Sequence, residues 1–300
     1  MSRKKILVTG ANGLLGQKVS EMFANESDHI LFLTDIQDSV AGLKGFDYAQ
    51  LDITKKNDVK NIYKAFEPDV TINCAAFTNV DACEIERELS WRINVDGVKN
   101  LLFASHVSSS KIVHVSSDYI FDGRMGNYDE SSVPNPLSFY GKEKLASENA
   151  VITSGIDSAI VRTMIIYGNG INVKPNFALW LINTLGKKEQ VNIVTDQFGQ
   201  PTIVDDIALG ILRIVNKERR GIYNISGSEY LSRFEFAKKV CEIFKFDQRL
   251  LVPIVTADLD QSADRPMNSS FILLKSETEL GMKTLNVTEG LHMLKLQLDM

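Results

Sequence analysis

Short β-branched runs alternate with amphipathic stretches through the first half of this 300-residue chain. Four of the runs are too apolar to have a solvent-facing side, which is typical of strands buried in a parallel sheet. They are KILVTG (5–10), ILFLTD (30–35), DVTINCAA (69–76) and KIVHVSS (111–117). The intervening stretches GQKVSEMFA (16–24) and VDGVKNLLFAS (95–105) have apolar residues at helical spacing. Because such alternation requires crossover connections, the sequence predicts an α/β fold with a doubly wound parallel sheet.

The overall composition argues against several classes of protein. A formal net charge of -5 and a pI near 5.5 give no basic field, so we expect no nucleic acid partner. Cys74, Cys83 and Cys241 are widely spaced and form no CxxC pair, which predicts neither a disulfide framework nor a metal site. No stretch approaches about 18 uninterrupted apolar residues, the length of a membrane span. We therefore expect a cytoplasmic protein that has no membrane partner.

The segment VTGANGLLG (8–16) runs from the first predicted strand directly into the first predicted helix. A dinucleotide pyrophosphate requires backbone that it can approach closely and free N–H groups at a helix N-terminus. The segment therefore predicts a cofactor-binding turn, although a tight turn without a ligand would have the same glycines. The residues assigned to this turn are Gly10, Asn12, Gly13, Leu14, Leu15 and Gly16.

Two acids at later strand ends extend the predicted cofactor site. Asp35 follows Gly16 at close to the spacing of about 20 residues at which a carboxylate accepts hydrogen bonds from the adenosine ribose. A carboxylate there repels a 2′-phosphate, so NADH is mildly favoured over NADPH. Asp52, with its neighbour Ile53, is a candidate contact to the adenine. Each acid could instead be a turn residue at the end of its strand.

The segment SFYGKEKLASE (138–148) has Tyr140 and Lys144 four residues apart, so both side chains reach one cleft if the segment is helical. A phenol is protonated at neutral pH and can act as an acid, and a nearby cation stabilises the phenolate that remains. Ser117 ends a predicted strand, where its hydroxyl can share a substrate oxygen with Tyr140. The Tyr–Lys spacing alone also arises by accident, and Ser117 could instead cap the next turn.

These motifs together resemble the extended short-chain dehydrogenase/reductase family. The matching motifs, in chain order, are TGxxGxxG, NCAA, SS and YxxxK. Within that family the chain is most similar to the dTDP-4-dehydrorhamnose reductases. This closer likeness rests on PDVTINCAAFTNVDACE, SSDYIFDG, NPLSFYGKEKLASE, VTDQFGQPT and DRPMNS. The resemblance implies a Rossmann fold of the extended type and an NAD(P)-dependent oxidoreductase.

The same resemblance implies roles at individual positions. Tyr140 corresponds to the catalytic acid, and Lys144 to the residue that adjusts its pKa and contacts the nicotinamide ribose. Ser117 corresponds to the hydrogen-bond donor to the substrate carbonyl. Asn94 matches a helix asparagine that holds a proton-relay water, and a purely structural asparagine is the alternative.

The chain pattern loosens after SAIVRTMIIYG (158–168), which we expect to form one strand. We predict a dinucleotide-binding domain over residues 1–166, to which residues 203–226 return. A smaller substrate-binding domain is predicted over 167–202 and 227–300. In the larger domain, Ala75 and Ala76 resemble the small residues over which the family's cofactor passes.

The reaction that the resemblance implies is reduction of the 4-keto group of a nucleotide-linked deoxysugar. Dehydratases on this scaffold have an Asp-Glu pair after the catalytic hydroxyl residue, whereas this chain has Asp118 and Tyr119. Reduction needs only a hydride and the proton of Tyr140. One departure is Ile165, which stands where the reductases commonly have a tryptophan that packs on the sugar. The candidate substrate-binding residues are Ser117, Asp118, Tyr119, Ile165, Asn176, Gln200, Arg265 and Asn268.

Several alternatives stay open from the sequence. The chain could be a nucleotide-sugar epimerase or another sugar-nucleotide reductase. It also resembles the regulatory β subunit of methionine adenosyltransferase, which would make it a non-catalytic dinucleotide-binding protein. Arg265 could form a surface salt bridge instead of a substrate contact. By analogy with related enzymes, we expect a homodimer formed through helices such as 94–106 and 139–150.

Overall fold

The computed structural model describes residues 3–41 and 45–298. The strands are β1 (Lys5–Thr9), β2 (Ile30–Asp35), β3 (Asp47–Gln50), β4 (Val70–Asn73), β5 (Lys111–Ser117), β6 (Ser158–Thr163), β7 (Ile166–Tyr167), β8 (Val191–Val194), β9 (Phe198–Gly199), β10 (Thr202–Ile203), β11 (Gly221–Asn224), β12 (Leu231–Ser232) and β13 (Leu251–Ile254). The α-helices are α1 (Leu14–Glu26), α2 (Lys56–Phe66), α3 (Val80–Ile85), α4 (Arg87–Trp91), α5 (Gly97–Ser108), α6 (Phe139–Thr153), α7 (Phe177–Gly186), α8 (Val204–Asn216), α9 (Arg233–Phe244) and α10 (Val287–Leu298).

The central sheet has seven strands in the order β11-β6-β5-β4-β1-β2-β3, and every neighbouring pair is parallel. Successive strand residues face opposite sides of such a sheet. Ile6 and Val8 pack with α1 and α8 on one face, whereas Leu7 packs with α2, α5 and α6 on the other. Burying a side chain of this size stabilises the fold by about 1.5–3 kcal/mol. The predicted doubly wound α/β fold is therefore confirmed.

A separate apolar cluster forms in the second half of the chain, from residues of α7, α9 and α10 together with β8. Between the segments that build this cluster, the chain returns to the central sheet. Helix α8 packs against α1, and β11 pairs with β6 as the edge strand. The predicted domain boundaries at 166, 202 and 226 stay a prediction.

The structure differs from the sequence-based expectation in three places. The segment 158–168 forms two strands, β6 and β7, because Ile165 between them has a left-handed φ of 44°. Helix α2 was not predicted. The strand end expected at Asp52 corresponds to β3, which ends two residues earlier and has no fully buried residue. A π-helical turn, Arg92–Asp96, joins α4 to α5 and contains Asn94. Such turns often occur at functional sites.

The described residues contain neither a candidate membrane helix nor a candidate metal cluster. No helix within 3–41 and 45–298 has both the length and the apolarity that a membrane crossing requires. Over the same ranges, no three His, Cys, Asp or Glu side chains come together as a group that could hold a metal ion.

Candidate active site

Helix α6 brings the Tyr140 and Lys144 side chains to the carboxyl end of the sheet. Ser138 caps the helix by accepting a 3.2 Å hydrogen bond from the Gly141 N–H. A Cβ at position 141 would overlap the carbonyl oxygen of Tyr119, so glycine allows the start of α6 to approach the turn after β5. The first turn of the helix is therefore fixed against the strand end that carries Ser117.

Tyr140 is buried, with 8% of its surface exposed. Burial and the negative charge of Asp118 raise the pKa of the Tyr140 phenol, while a hydrogen bond with Ser117 opposes that rise. The ring of Tyr119 meets the ring of Tyr140 edge to face, with centroids 5.6 Å apart and planes at 78°. The structure thus brings together Ser117, Tyr119 and Tyr140, with the phenol in its protonated form at neutral pH.

Lys144 is also buried, and its Nζ donates a 2.6 Å hydrogen bond to the carbonyl oxygen of Val115. Burial lowers the pKa of Lys144 to about 8, and the carboxylates of Glu148 and Glu143 oppose the shift. The Lys144 charge also acts on Cys74, where it counters the rise that burial causes in the pKa of the thiol. Because Cys74 precedes Ala75 at the end of β4, the lysine lies between the tyrosine and the glycine turn.

The glycine turn packs directly on the end of β4. Gly10 has φ of 68°, and a Cβ there would lie 2.6 Å from the backbone nitrogen of Ala75. At Gly16 a Cβ would overlap the carbonyl oxygen of Gly10. Within the part of the chain that the structure describes, the N–H groups of Leu14, Leu15 and Gly16 have no hydrogen-bond acceptor. Close backbone approach and free N–H groups at a helix N-terminus fit a dinucleotide pyrophosphate.

Asp35 lies beside this turn at the end of β2. Its Oδ2 accepts a 2.9 Å hydrogen bond from the Asn12 N–H. The Asn12 side chain donates to Gln37 and to the Ser39 carbonyl, and it accepts from the Ala41 N–H. Asn12 therefore orders the loop after β2 around Asp35 instead of presenting its amide to a ligand.

The two residues after β3 are engaged locally. Asp52 Oδ1 accepts from the Thr54 backbone N–H at 2.9 Å and from the Thr54 hydroxyl at 2.7 Å, which is the arrangement of a turn acid. Ile53 is buried and leaves no room for a Cβ at Gly97 of α5. Its buried side chain is part of the core on the α5 face of the sheet.

Asn94 is buried and its amide is used within the protein. Nδ2 donates to the Phe77 carbonyl at 3.0 Å and to Glu143 at 2.9 Å, and Oδ1 accepts from the Phe77 N–H at 2.8 Å. Ser90 donates to the other oxygen of Glu143. These contacts tie the π-helical turn to α6 and to the loop after Ala76.

Asp118 is hydrogen-bonded both to Ser117 and to a residue in the last part of the chain. Ser117 Oγ donates to Asp118 Oδ1 at 2.9 Å, and Ser269 Oγ donates to Oδ2 at 2.6 Å. Burial raises the pKa of Asp118, and the two hydroxyl hydrogen bonds oppose the rise. Ser269 belongs to the DRPMNS motif, but its hydrogen bond to a residue 151 positions away has no signature in the sequence.

Several predicted substrate-binding residues have protein partners. Arg265 forms a two-point ion pair with Asp81, with its Nη1 3.0 Å from Oδ1 and its Nη2 2.5 Å from Oδ2. Asn176 caps α7 and donates to the Gly168 carbonyl. Gln200 is buried and accepts from the Phe271 N–H at 2.6 Å. The Asn268 side chain lies against Gly126, where no Cβ would fit. Each of these residues therefore also holds the cleft walls together.

Ile165 is half-buried and packs beside the Ile120–Phe121 cluster. A β-branched residue with φ of 44° is a conformational outlier, and such strain is found mostly at functional sites. A Cβ at Gly199 would lie 2.7 Å from the Ile165 Cδ1. The side chain thus extends toward β9.

Arg233 is a residue of this cleft that the sequence interpretation missed. It is the first residue of α9, after a capping box of Ser232 and Glu235, and its guanidinium stacks 5.0 Å from the centre of the Phe177 ring. Burial lowers the pKa of its guanidinium, and the negative charge of Asp118 opposes that shift. The S-x-x-E pattern could have marked this helix start, but not the direction of the arginine.

Comparisons with known proteins agree with this geometry. Residues 4–298 match the family model described as RmlD substrate binding domain. A dTDP-4-dehydrorhamnose reductase of Aggregatibacter actinomycetemcomitans is 32% identical in an alignment of 291 positions that covers 93% of this chain and 94% of that protein. Methionine adenosyltransferase 2 subunit beta of Bos taurus is 28% identical, over 94% of this chain and 84% of that protein.

A solved structure is similarly close. The dTDP-4-dehydrorhamnose reductase of Bacillus anthracis, determined in complex with NADP, superposes with a TM-score of 0.88 at 31% identity and covers 99% of this chain and 100% of that one. The family match spans nearly the whole chain, including both the glycine turn and the Tyr140 helix. The chain therefore belongs to the RmlD substrate-binding domain family.

Proposed function

We propose that this protein uses NADH or NADPH to reduce the 4-keto group of a nucleotide-activated deoxysugar, in the manner of a dTDP-4-dehydrorhamnose reductase. The observation that carries the proposal is the hydrogen bond between the Ser117 and Tyr140 hydroxyls at the end of β5. The buried Lys144 ammonium is bound to the Val115 carbonyl of the same strand, two residues before Ser117. The glycine turn lies next to them across Cys74 and Ala75. The named relatives supply the substrate class.

In the proposed mechanism, Tyr140 is the acid. The cofactor, when bound at the glycine turn, supplies a hydride to the carbonyl carbon of the sugar. Tyr140 transfers its phenolic proton to the carbonyl oxygen, so that the phenol O–H bond breaks and an alcohol O–H bond forms. Ser117 has a single hydroxyl proton, which it donates to Asp118 Oδ1 in the structure. On substrate binding this hydroxyl turns to donate to the same carbonyl oxygen and lowers the cost of the charge that develops there.

Lys144 stabilises the phenolate that remains on Tyr140. An ammonium in a low-dielectric site acts on the phenolate more strongly than it would in water. Solvent then returns the proton to Tyr140. The carboxylate of Asp118 orients Ser117, and its two oxygens already accept hydrogen bonds from Ser117 and Ser269. Water elimination needs an additional acid and base, and both oxygens of Asp118 already accept hydrogen bonds. The site therefore favours carbonyl reduction over water elimination.

The direct test follows the absorbance of NADH and NADPH with dTDP-, UDP- and GDP-linked 4-keto-6-deoxysugars. We expect oxidation of the reduced cofactor with at least one ketosugar. Tyr140→Phe should lower turnover by about 10²–10⁴-fold, the usual contribution of a positioned acid, and should still bind cofactor. Tyr63→Phe is the matched control, because it also removes a buried phenol hydroxyl but lies on α2. Wild-type turnover in Tyr140→Phe would refute the assigned acid.

The same assay separates the alternatives. An epimerase would convert its substrate without net consumption of the reduced cofactor. The second candidate function is that of a regulatory subunit, because the chain is similar to methionine adenosyltransferase 2 subunit beta. Such a protein would bind the dinucleotide without turning over any ketosugar. Such a subunit would instead form a complex with a methionine adenosyltransferase catalytic subunit in size-exclusion chromatography.

We further propose a cytoplasmic homodimer in which α5 and α6 form the interface. Phe103 and Val107 of α5 and Ile152 of α6 are exposed apolar side chains, and such side chains on neighbouring helices favour association. Light scattering of the purified protein tests this proposal. A monomer at micromolar concentration would contradict it.

A further inference from the structure

Among the residues that the structure describes, none accepts a hydrogen bond from the guanidinium of Arg233. Over residues 3–41 and 45–298, every other lysine or arginine side chain that is buried or half-buried makes a hydrogen bond or an ion pair. Arg162 pairs with Glu148, Arg265 with Asp81, and Lys144 with the Val115 carbonyl. For Arg233 only the backbone N–H is bonded, to the Gln197 carbonyl.

The surroundings of Arg233 fix its position. Phe177, the first residue of α7, lies under the plane of the guanidinium. The acid nearest in sequence, Glu235, accepts from the Ser232 N–H in the capping box. Asp118 acts on Arg233 through its charge, but both of its oxygens are occupied by Ser117 and Ser269. The side chain is thus held by stacking, with its donors directed to no protein group.

An unpaired cation removed from bulk water is costly unless a ligand completes its hydrogen bonds. The planar guanidinium matches phosphate oxygens with two parallel N–H donors. The Asp118 carboxylate acts on the charge of Arg233, and Asp118 is hydrogen-bonded to Ser117 of the proposed catalytic pair. The cation therefore borders the same cleft as the proposed acid.

We propose that Arg233 binds the diphosphate of the nucleotide-sugar substrate and thereby sets the distance between the nucleotide and the Ser117–Tyr140 pair. This inference rests on the proposed function, because it names the part of that substrate which the residue recognises. Phe177 keeps the guanidinium in place before the substrate arrives, so little side-chain entropy is lost on binding.

The test is calorimetric titration of dTDP, dTMP and thymidine into the wild type, Arg233→Gln and Arg233→Lys. We expect Arg233→Gln to weaken dTDP binding by at least about tenfold, as for the loss of a charged hydrogen bond, and to leave thymidine binding unchanged. Arg233→Lys should recover part of the loss. Arg249→Gln is the matched control, since Arg249 is an exposed arginine paired with Asp247.

Two further readouts separate this role from a structural one. The melting temperature of Arg233→Gln should change little, because the protein contact that the charge loses is the stacking on Phe177 and no hydrogen bond or ion pair goes with it. In the ketosugar assay, the variant should raise KM for the sugar nucleotide by about the same factor and leave KM for NAD(P)H unchanged. A melting temperature lowered together with unchanged dTDP affinity would overturn the proposal.

The carboxylate of an acidic sugar is the other anion that Arg233 could bind. Titration with UDP-glucose and UDP-glucuronate separates the two groups. If Arg233→Gln weakens the binding of both ligands equally, the diphosphate is supported, whereas weaker binding of UDP-glucuronate alone overturns the proposal.

Arg233-dependent dTDP binding without reduction of any ketosugar would refute the proposed function and leave this inference standing. Ketosugar reduction that is indifferent to Arg233→Gln would refute only the inference.

Discussion

Ser117 Oγ and Asp118 Oδ1 are joined by a 2.9 Å hydrogen bond in which the serine is the donor. The second carboxylate oxygen accepts from Ser269 at 2.6 Å. Asp118 thus holds the Ser117 hydroxyl, which is proposed to meet the substrate carbonyl. Ser269, from the last part of the chain, holds the Asp118 carboxylate. Asp118 is a positioning residue, since it acts on the substrate through Ser117.

Asp118→Asn tests this positioning role. The amide keeps the shape of the carboxylate, but its NH₂ group cannot accept a hydrogen bond from Ser117 or Ser269. We expect kcat to fall by about 10–100-fold, which corresponds to losing charge-assisted hydrogen bonds of about 1.5–3 kcal/mol, with little change in the affinity for NAD(P)H. Asp260→Asn, at an exposed acid, is the control. Unchanged kcat in Asp118→Asn would show that Ser117 needs no such partner.

The depressed pKa of Lys144 predicts a pH limit on activity. In the free enzyme the ammonium loses its proton near pH 8, and the Tyr140 phenolate then loses its stabilising charge. We expect kcat/KM to fall above about pH 8 and the fall to move to higher pH in Lys144→Arg, since a guanidinium stays charged. Identical pH profiles for the two proteins would assign the limit to another group.

The same pKa predicts the pH dependence of stability. The lysine pKa is about 8 in the folded state and 10.5 in the reference state, so between these values the unfolded chain binds more protons. Lys144 therefore makes the free energy of unfolding increase as pH rises through this window, by up to about 1.4 kcal/mol per pH unit. Chemical denaturation should show that the free energy of unfolding of the wild type rises with pH relative to that of Lys144→Met. A constant difference would contradict the burial of the charge.

Gly16 and Gly13 provide a matched pair for the cofactor turn. A Cβ at Gly16 overlaps the Gly10 carbonyl, whereas at Gly13 it would lie 3.3 Å from the same oxygen. Gly16→Ala must push α1 away from the turn, at the cost of about 1–3 kcal/mol that is typical of overpacking. We expect NAD(P)H affinity to fall at least tenfold and the melting temperature to decrease, with smaller effects in Gly13→Ala. Fluorescence titration of the cofactor measures the difference.

The choice between the two nicotinamide cofactors tests Asp35. Its carboxylate is held toward the glycine turn by the Asn12 N–H and would repel a 2′-phosphate. Asp35→Asn should raise the ratio of kcat/KM for NADPH to that for NADH by about tenfold, which is about 1.4 kcal/mol of lost repulsion. Asp38→Asn, an exposed acid three residues later, should change the ratio much less. An unaltered ratio in Asp35→Asn would remove the carboxylate from cofactor selection.

The sequence predicted those features that local patterns determine. Buried strands and the amphipathic helices α1 and α5 follow from the spacing of apolar residues, and the family motifs identify the positions of Ser117 and Tyr140. Helix α2 was missed, whereas the strand end expected at Asp52 corresponds to β3, although none of the β3 residues is fully buried. The single strand expected over 158–168 was wrong, since the backbone at Ile165 is left-handed. No local pattern encodes that reversal.

Contacts between distant segments were beyond sequence reasoning. Arg265 pairs with Asp81 across 184 positions, and the unsatisfied guanidinium of Arg233 becomes visible only once every neighbouring acid has been assigned a partner. The roles of Asn176 and Gln200 likewise depend on which backbone groups surround them. The residue type determines which hydrogen bonds a side chain can make, whereas the fold determines which of them are already made within the protein.

The left-handed backbone at Ile165 makes two positions of the cleft mutually dependent. Because the Ile165 side chain fills the space beside Gly199, a larger residue at 199 is accommodated only after residue 165 becomes smaller. Glycine or asparagine at 165 would relieve the backbone strain and would also remove the Ile165 Cδ1 atom that lies beside Gly199. Divergence of sugar preference in such proteins is therefore expected to proceed through position 165 first, and engineering that begins at position 199 meets a barrier.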